Sequence, residues 1–406
     1  MSVSSAVLAD IAAINPTAPK GIASDTELAS LPMAAVSSEL ADVVPVETLL
    51  FEDVKNGLTY FEDGDILVAK ITPCFENGKI ALVRSNGLAG FGSTEFHVVR
   101  VSERIDRRYL IHFLRQQSIR NAGEKRMTGS AGQKRVPKSF LEQLEIPLPP
   151  LEEQQRIAAI LDAADALRAK RRAALAKLDT LAQSIFIDMF GDPATNPRNW
   201  KRVRLGDTSL KFSDGPFGSN LKSAHYTENG IRVVRLQNIG VDRFVDDDVA
   251  YISEEHFGKI SKHECVPGDV LVGTLGDPNL RACIQPNWLP LALNKADCVQ
   301  IRVNPNVATA EFMVALLNCP STLKMAQSEI LGQTRSRISM GRLRELVVPI
   351  PPVNLQSEFS ERRMALDLVQ TRVEISVRQL DALFASLQHR AFRGELTAPD
   401  EKVAAA

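Results

Sequence analysis

The chain has 406 residues, more than one hydrophobic core ordinarily organises, so two or more domains are expected. Its 44% hydrophobic and 24% charged residues are ordinary for a globular protein, and no apolar run reaches the roughly 20 residues of a membrane-spanning helix. A net charge of −1, from 48 basic and 49 acidic side chains, argues against a nonspecific polycation.

The opening stretch MSVSSAVLADIAAINP lacks a positively charged start and a sustained apolar centre. No export signal is read there, and a cytoplasmic protein is expected. Residues 1–63 carry ten Asp/Glu against Lys20 and Lys55. GDILVAKI (64–71), KIALV (79–83) and EFHVVRV (95–101) are short, β-branched runs bounded by Gly, Pro and Asn, as strands are. The helical spacing of 107–122 follows. Residues 104–138 hold ten Lys/Arg against Asp106 and Glu124, a composition that suits a polyanion or simply a solvated face. Pro149-Pro150 then punctuates, and from Ile157 a four–three spacing runs through Leu161, Ala164, Arg168, Arg171, Leu175, Leu178, Ala182, Ile185 and Met189. Such a seam belongs to a coiled coil.

The same order returns about 200 residues later. Strand-like runs occupy 231–236, 268–274 and 297–303, a helical run 310–326, and Pro351-Pro352 precedes Phe359, Leu366, Val373, Leu380 and Leu387, spaced by sevens. Val369, Val377, Leu383 and Phe384 widen that stripe. Gly64-Asp65 is echoed by Gly268-Asp269, Gly132-Gln133 by Gly332-Gln333, Leu8-Ala9-Asp10 by Leu205-Gly206-Asp207, and Leu178-Asp179 by Leu380-Asp381. Two copies of one α+β module, each followed by a long helix, are the economical reading. Roughly 40 helical residues span ~60 Å, more than one ~34 Å turn of duplex.

Catalytic sets are missing. The NP dipeptides are not followed by Pro and an aromatic, as an adenine methyltransferase needs. Gly90-Phe91-Gly92 reads as a loop, Gly215-Pro216-Phe217-Gly218-Ser219 fails the phosphate-loop pattern, and Asp246-Asp247-Asp248 reads as a solvated turn. The five scattered cysteines read as free thiols, and neither metal nor catalytic histidine sets emerge. A binding protein is favoured over a divergent nuclease or methyltransferase. A stand-alone DNA- or partner-binding coiled-coil protein is a further alternative.

GDILVAKITPCFENGKIALV (64–83), GFGSTEFHVVRV (90–101) and SDGPFGSNLKSAHYTENGIRVVRLQNIG (213–240) resemble target-recognition domains of type I restriction–modification specificity subunits. IPLPPLEEQQRIAAILDAADALRAKRR (146–172), VPIPPVNLQSEFSERR (348–363) and LDALFASLQHRAFRGEL (380–396) resemble that family's junctions and helices. Asn354-Leu355-Gln356, where the first copy has Glu152-Glu153-Gln154, weakens the equivalence of the junctions. The resemblance implies two similar α/β target-recognition domains, 1–150 and 201–352. Helices over 151–200 and 353–396 would join and separate them as an antiparallel coiled coil, with a disordered tail at 397–406. It also implies double-stranded DNA as ligand and two methylation subunits and restriction subunits as partners. S-adenosylmethionine, ATP and Mg would then sit on those partners, and no cofactor or metal on this chain.

Candidate DNA contacts follow from side-chain chemistry, since Arg and Lys suit guanine, Asn and Gln suit adenine, and Ser or Thr either base or phosphate. In the first domain these are Ser130, Gln133, Lys134 and Arg135 in a glycine-containing loop, with Lys70, Thr72, Asn77 and Lys79 in a turn between strands. In the second they are Gln333, Thr334, Arg335 and Arg337 in the matching loop, with Ser219, Asn220, Lys222, Arg235, Gln237 and Asn238. Arg135 and Arg335 are read as holding matching places.

Overall fold

The computed structural model describes residues 4–54, 57–130, 132–276, 278–326 and 337–396; the tail 397–406 lies outside them. Contacts divide the chain into two units, residues 1–173 with 374–406 and residues 174–373. Both boundaries fall inside long helices, a central one at Leu151–Phe190 and a C-terminal one at Val353–Ala391. Among the described residues no helix is long and apolar enough to cross a membrane.

In unit 1 the apolar runs form a five-stranded sheet in the order Ala12–Ile14, Phe96–Val101, Ile66–Ala69, Ile80–Val83, Asp42–Val43. Alternate residues of its middle strands enter different cores. Ile66, Val68, Ile80 and Leu82 join Tyr109, Leu110 and Phe140 from the helices, whereas Leu67, Ala69, Ala81 and Val83 join Leu31 and Phe61 from a second sheet. Burial on both faces is why these strands read as continuous apolar runs. The second sheet runs Glu47–Leu50, Glu27–Leu31, Gly90–Gly92, Thr59–Phe61. The Gly90-Phe91-Gly92 triplet, expected as loop, is thus a strand. It pairs parallel with Ala29–Leu31, and a Cβ on Gly90 would lie 2.2 Å from the Ala29 carbonyl oxygen. Glycine is there for close backbone approach.

Unit 2 repeats the central order of both sheets, with four strands in the first and five in the second. Ser209–Asp214, Cys298–Val303, Val270–Gly273 and Ala282–Ile284 follow one another in its first sheet, and the parallel pair recurs as Ile231–Val234 with Ala292–Asn294. The echoed sequence words have matching physical jobs. Asp65 accepts from Arg100 and from the Glu62 backbone N–H, and Asp269 accepts from Arg302 and the Val266 N–H. Leu8 and Leu205 open equivalent 3-10 turns, their N–H groups donating to Leu144 and Leu346 at 2.8 Å each. Each helical run is broken where one helix was expected. Arg107–Leu114 stops before Gln117–Glu124, and Ala310–Asn318 before Pro320–Ala326, where Pro320 lacks the N–H needed to continue.

The junctions also match, despite their differing sequences. Gln154 Oε1 accepts from the Asp106 N–H while its Nε2 donates to the Arg104 and Pro149 carbonyls. Gln356 makes the same three bonds to Thr309, Val307 and Pro351. Asp106 and Thr309 are the N-caps of the Arg107–Leu114 and Ala310–Asn318 helices, so each glutamine ties the start of a long helix to the start of a domain helix. The expected weakening at residues 354–356 is therefore overturned, because the shared glutamine, not its neighbours, carries the joint.

The helical seams diverge between the units. In unit 2 Phe186, Phe190, Phe312 and Phe359 form an aromatic cluster with ring centroids 5.0–5.8 Å apart. At the corresponding place unit 1 has Tyr109, Phe113 and Phe392, with ring centroids 5.0–5.3 Å apart, and farther along its helices it carries charge. Arg168 bonds Asp165 and Asp381 at 2.6 Å each and lies over the Phe384 ring, while Arg171 is exposed. Val369 and Leu383, expected to widen the stripe, are about half exposed.

Asp162 accepts from His112 at 2.7 Å and from Arg108 at 2.7 Å. Burial alone would raise its carboxyl, but the His112 and Arg108 hydrogen bonds outweigh that and pull it down to about 2. Its stabilising contribution is then complete above the ordinary value of 3.8 and is lost as pH falls through about 2. Asp162→Asn should lower the unfolding midpoint at pH 7, and its deficit relative to wild type should shrink on acidification below about pH 4. Circular-dichroism melts across that range check this; a deficit that does not change with pH would count against it.

Candidate nucleic-acid interface

The loop of unit 1 folds back on the end of the strand Ile66–Ala69. Arg135 forms bridges with both Thr128 and Ile71, the Thr72 N–H donates to the Lys134 carbonyl at 3.0 Å, and the Val136 N–H to the Lys70 carbonyl at 2.8 Å. Gly129 and Gly132 stand at φ +127° and +86°, backbone that glycine adopts freely. The structure thereby brings Lys70, Thr72, Lys134 and Arg135 to one edge, with Ser130, Gln133 and Lys134 exposed. Arg135 grips Glu95 bidentately, Nη2 to Oε1 at 2.7 Å and Nε to Oε2 at 2.9 Å. That hydrogen bonding holds the Glu95 carboxyl below its usual range, against the opposing effect of burial. A fork fixed in this way presents its remaining donors in one orientation.

The other unit 1 candidates divide. Asn77 is exposed, and Thr72 donates to Glu76 at 2.7 Å. The Lys79 ammonium donates to the Met33 carbonyl, a role filled in unit 2 by Arg281 on the Leu236 carbonyl, so it acts as a loop clamp. The basic run is not one free positive face: Arg108 serves Asp42 and Asp162, Arg120 the Glu76 carbonyl, and Lys138 Glu142.

In unit 2 the place of Arg135 belongs to Arg337, not Arg335. Arg337 bridges Leu275 as Arg135 bridges Ile71, and the Ile338 N–H donates to the Thr274 carbonyl as Val136 does to Lys70. Its Nη2 holds Asp297 at 2.9 Å, and Asp297 precedes the strand Cys298–Val303 as Glu95 precedes Phe96–Val101. Gln333, Thr334 and Arg335 lie outside the described residues. Sequence reading missed the two carboxylates and Phe217, which is 43% exposed with the Arg337 guanidinium 5.5 Å from its ring centroid. A phenylalanine flanked by Pro216 and Gly218 in a polar loop was the available signal.

Ser219, Asn220 and Lys222 are exposed on a neighbouring turn braced by two histidines. The Lys222 N–H donates to His225 Nδ1 at 3.1 Å, and His256 Nε2 donates to the Asn220 carbonyl at 2.9 Å. Gln237 is exposed, whereas Arg235 is paired with Asp248 and lies over Tyr226. Asn238 is a correction. It is fully buried, accepting from the Arg235 N–H and donating to the Val245 and Asp248 carbonyls, so it shapes the loop and cannot reach a ligand. Nor is the triple-aspartate segment merely solvated, since Asp246 pairs with Arg232 and Asp248 with Arg235.

A family model described as the type I restriction modification DNA specificity domain matches residues 8–177. The chain is 46% identical over 136 residues to the type I restriction enzyme EcoAI specificity subunit of Escherichia coli, covering 33% of this chain and 23% of that subunit. It is 42% identical over 152 residues to the EcoEI specificity subunit of the same species, covering 37% and 25%. The chain thus matches about a quarter of the length of these two relatives. A chain from a solved type I R-M system shares the fold, with a TM-score of 0.62 at 20% identity over 97% of this chain and 98% of that one. Residues 8–177 thus match the type I restriction modification DNA specificity domain, and the chain as a whole has the fold of a chain from a type I R-M system.

Proposed function

We propose that this chain is a noncatalytic specificity subunit whose two units each read one half of a bipartite double-stranded DNA site. The observation that carries this is the twin placement of Arg135 on Glu95 and Arg337 on Asp297, at equivalent edges of two units that share their central strand order. An oriented guanidinium is suited to guanine O6 and N7 in the major groove. Around it the loops differ in sequence, which suits the reading of two different half-sites. Lys70, Thr72, Asn77, Ser130, Gln133 and Lys134 would supply further contacts in unit 1, and Ser219, Asn220, Lys222 and Gln237 in unit 2. Lys79 and Arg235, committed to internal partners, would act mainly by holding their loops.

On this reading the long helices set the unread spacer and dock two methylation subunits, with restriction subunits completing a cytoplasmic complex. S-adenosylmethionine, ATP and Mg would be bound by those partners. Expressing the chain with its methylation subunits and mapping methylated adenines genome-wide tests the proposal. A split recognition sequence with a fixed gap is expected. A contiguous site, or methylation without sequence preference, would refute it.

A further inference from the structure

A second polar site in unit 1 shares no lining residue with the Arg135 loop. A cavity of about 200 Å3 is lined by Arg115, Arg120 and Arg168 together with Asp165 and Asp381. Both carboxylates are already taken by Arg168, and Asp381 also by Arg172 at 2.9 Å. The Arg115 guanidinium donates to the Ser38 carbonyl at 2.6 Å. Arg120 donates to the Glu76 carbonyl and to Gln117, and its Nε is buried without a partner. Neither arginine has a carboxylate partner among the described residues. Burial pulls both guanidiniums below their usual range; for Arg115 the Asp165 carboxylate opposes this, and the Arg120 and Arg168 charges add to it. Gly78 makes room for this arrangement, since a Cβ there would lie 2.7 Å from Arg120 Nη1.

Two desolvated cations facing one polar cavity are costly unless an anion joins them. The space holds several waters or one tetrahedral oxyanion, and the free guanidinium N–H groups are donors that match its oxygens. We propose that this cavity binds a phosphate-class oxyanion between Arg115 and Arg120, bracing the Arg107–Leu114 and Gln117–Glu124 helices against the long helices of unit 1. The counterparts in unit 2, Asn318 and Leu323, could not do this, so a single site per chain is expected.

Thermal melts of the full chain, in inorganic phosphate and in chloride at equal ionic strength, test the proposal independently of DNA reading. A saturable rise in midpoint of about 2–4 °C is expected in phosphate. A sugar monophosphate, run in parallel, distinguishes a free anion from an ester. Arg115→Met and Arg120→Met, each compared with itself in chloride, should lose the rise even if their baseline midpoints move. Arg135→Ala should keep it. Equal midpoints in phosphate and chloride for the wild type would overturn the proposal. So would an undiminished rise in both methionine variants, or loss of the rise in Arg135→Ala.

Discussion

Phe312→Ala is expected to destabilise unit 2 by about 3–5 kcal/mol, the cost of truncating a large aromatic in a packed core. Phe312 is 1% exposed and sits stacked on Phe186 at 5.7 Å and edge-on to Phe190 at 5.0 Å. Both of those rings also meet Phe359, so one side chain links the Ala310–Asn318 helix to segments of both long helices within the unit. Its counterpart in unit 1, Tyr109, is anchored differently. It meets Phe392 at 5.0 Å, and its hydroxyl donates to the Pro147 carbonyl at 2.8 Å. Phe312→Leu, which keeps most of the volume, should cost much less. Denaturant unfolding followed by segment-resolved hydrogen exchange checks both substitutions. Protection should fall first in residues 310–318, 186–190 and 353–366. A loss under about 1 kcal/mol, or one spread equally over unit 1, would show that the cluster does not hold the unit together.

The doubled topology was legible because apolar periodicity encodes it directly: 66–69 and 270–273 are buried on both faces and read as matching runs. The long helices were legible from heptads for the same reason. What stayed hidden depends on contacts between distant positions. Nothing local distinguishes Gln154 from the exposed glutamines around it, because its three partners come from folded loops. Asn238 looked like a base reader by residue type, yet burial decides its role. The equivalence of Arg135 with Arg337 is set by a bridge to Ile71 or Leu275, and spacing from the Gly-Gln echo misassigns it by two residues.

That equivalence makes the strongest functional prediction. Arg135→Ala should weaken recognition at one half-site by roughly 10- to 100-fold, the discrimination a bidentate base contact supplies, and leave the other half-site intact. Arg337→Ala should do the reverse. The effect has two parts, because each substitution also frees a carboxylate, Glu95 or Asp297, which on the proposed reading would face and repel the DNA phosphates. Removing both members, as in Arg135→Ala with Glu95→Gln, should therefore restore affinity but not base preference. A merely structural arginine predicts another pattern: loss of the ion pair would loosen the loop, and the double variant would be no better than the single one. Competition binding with duplexes altered in one half-site at a time, using the chain assembled with its methylation subunits, separates these outcomes. Equal losses at both half-sites for either single variant would mean that the two arginines act on the whole complex and do not read separate halves.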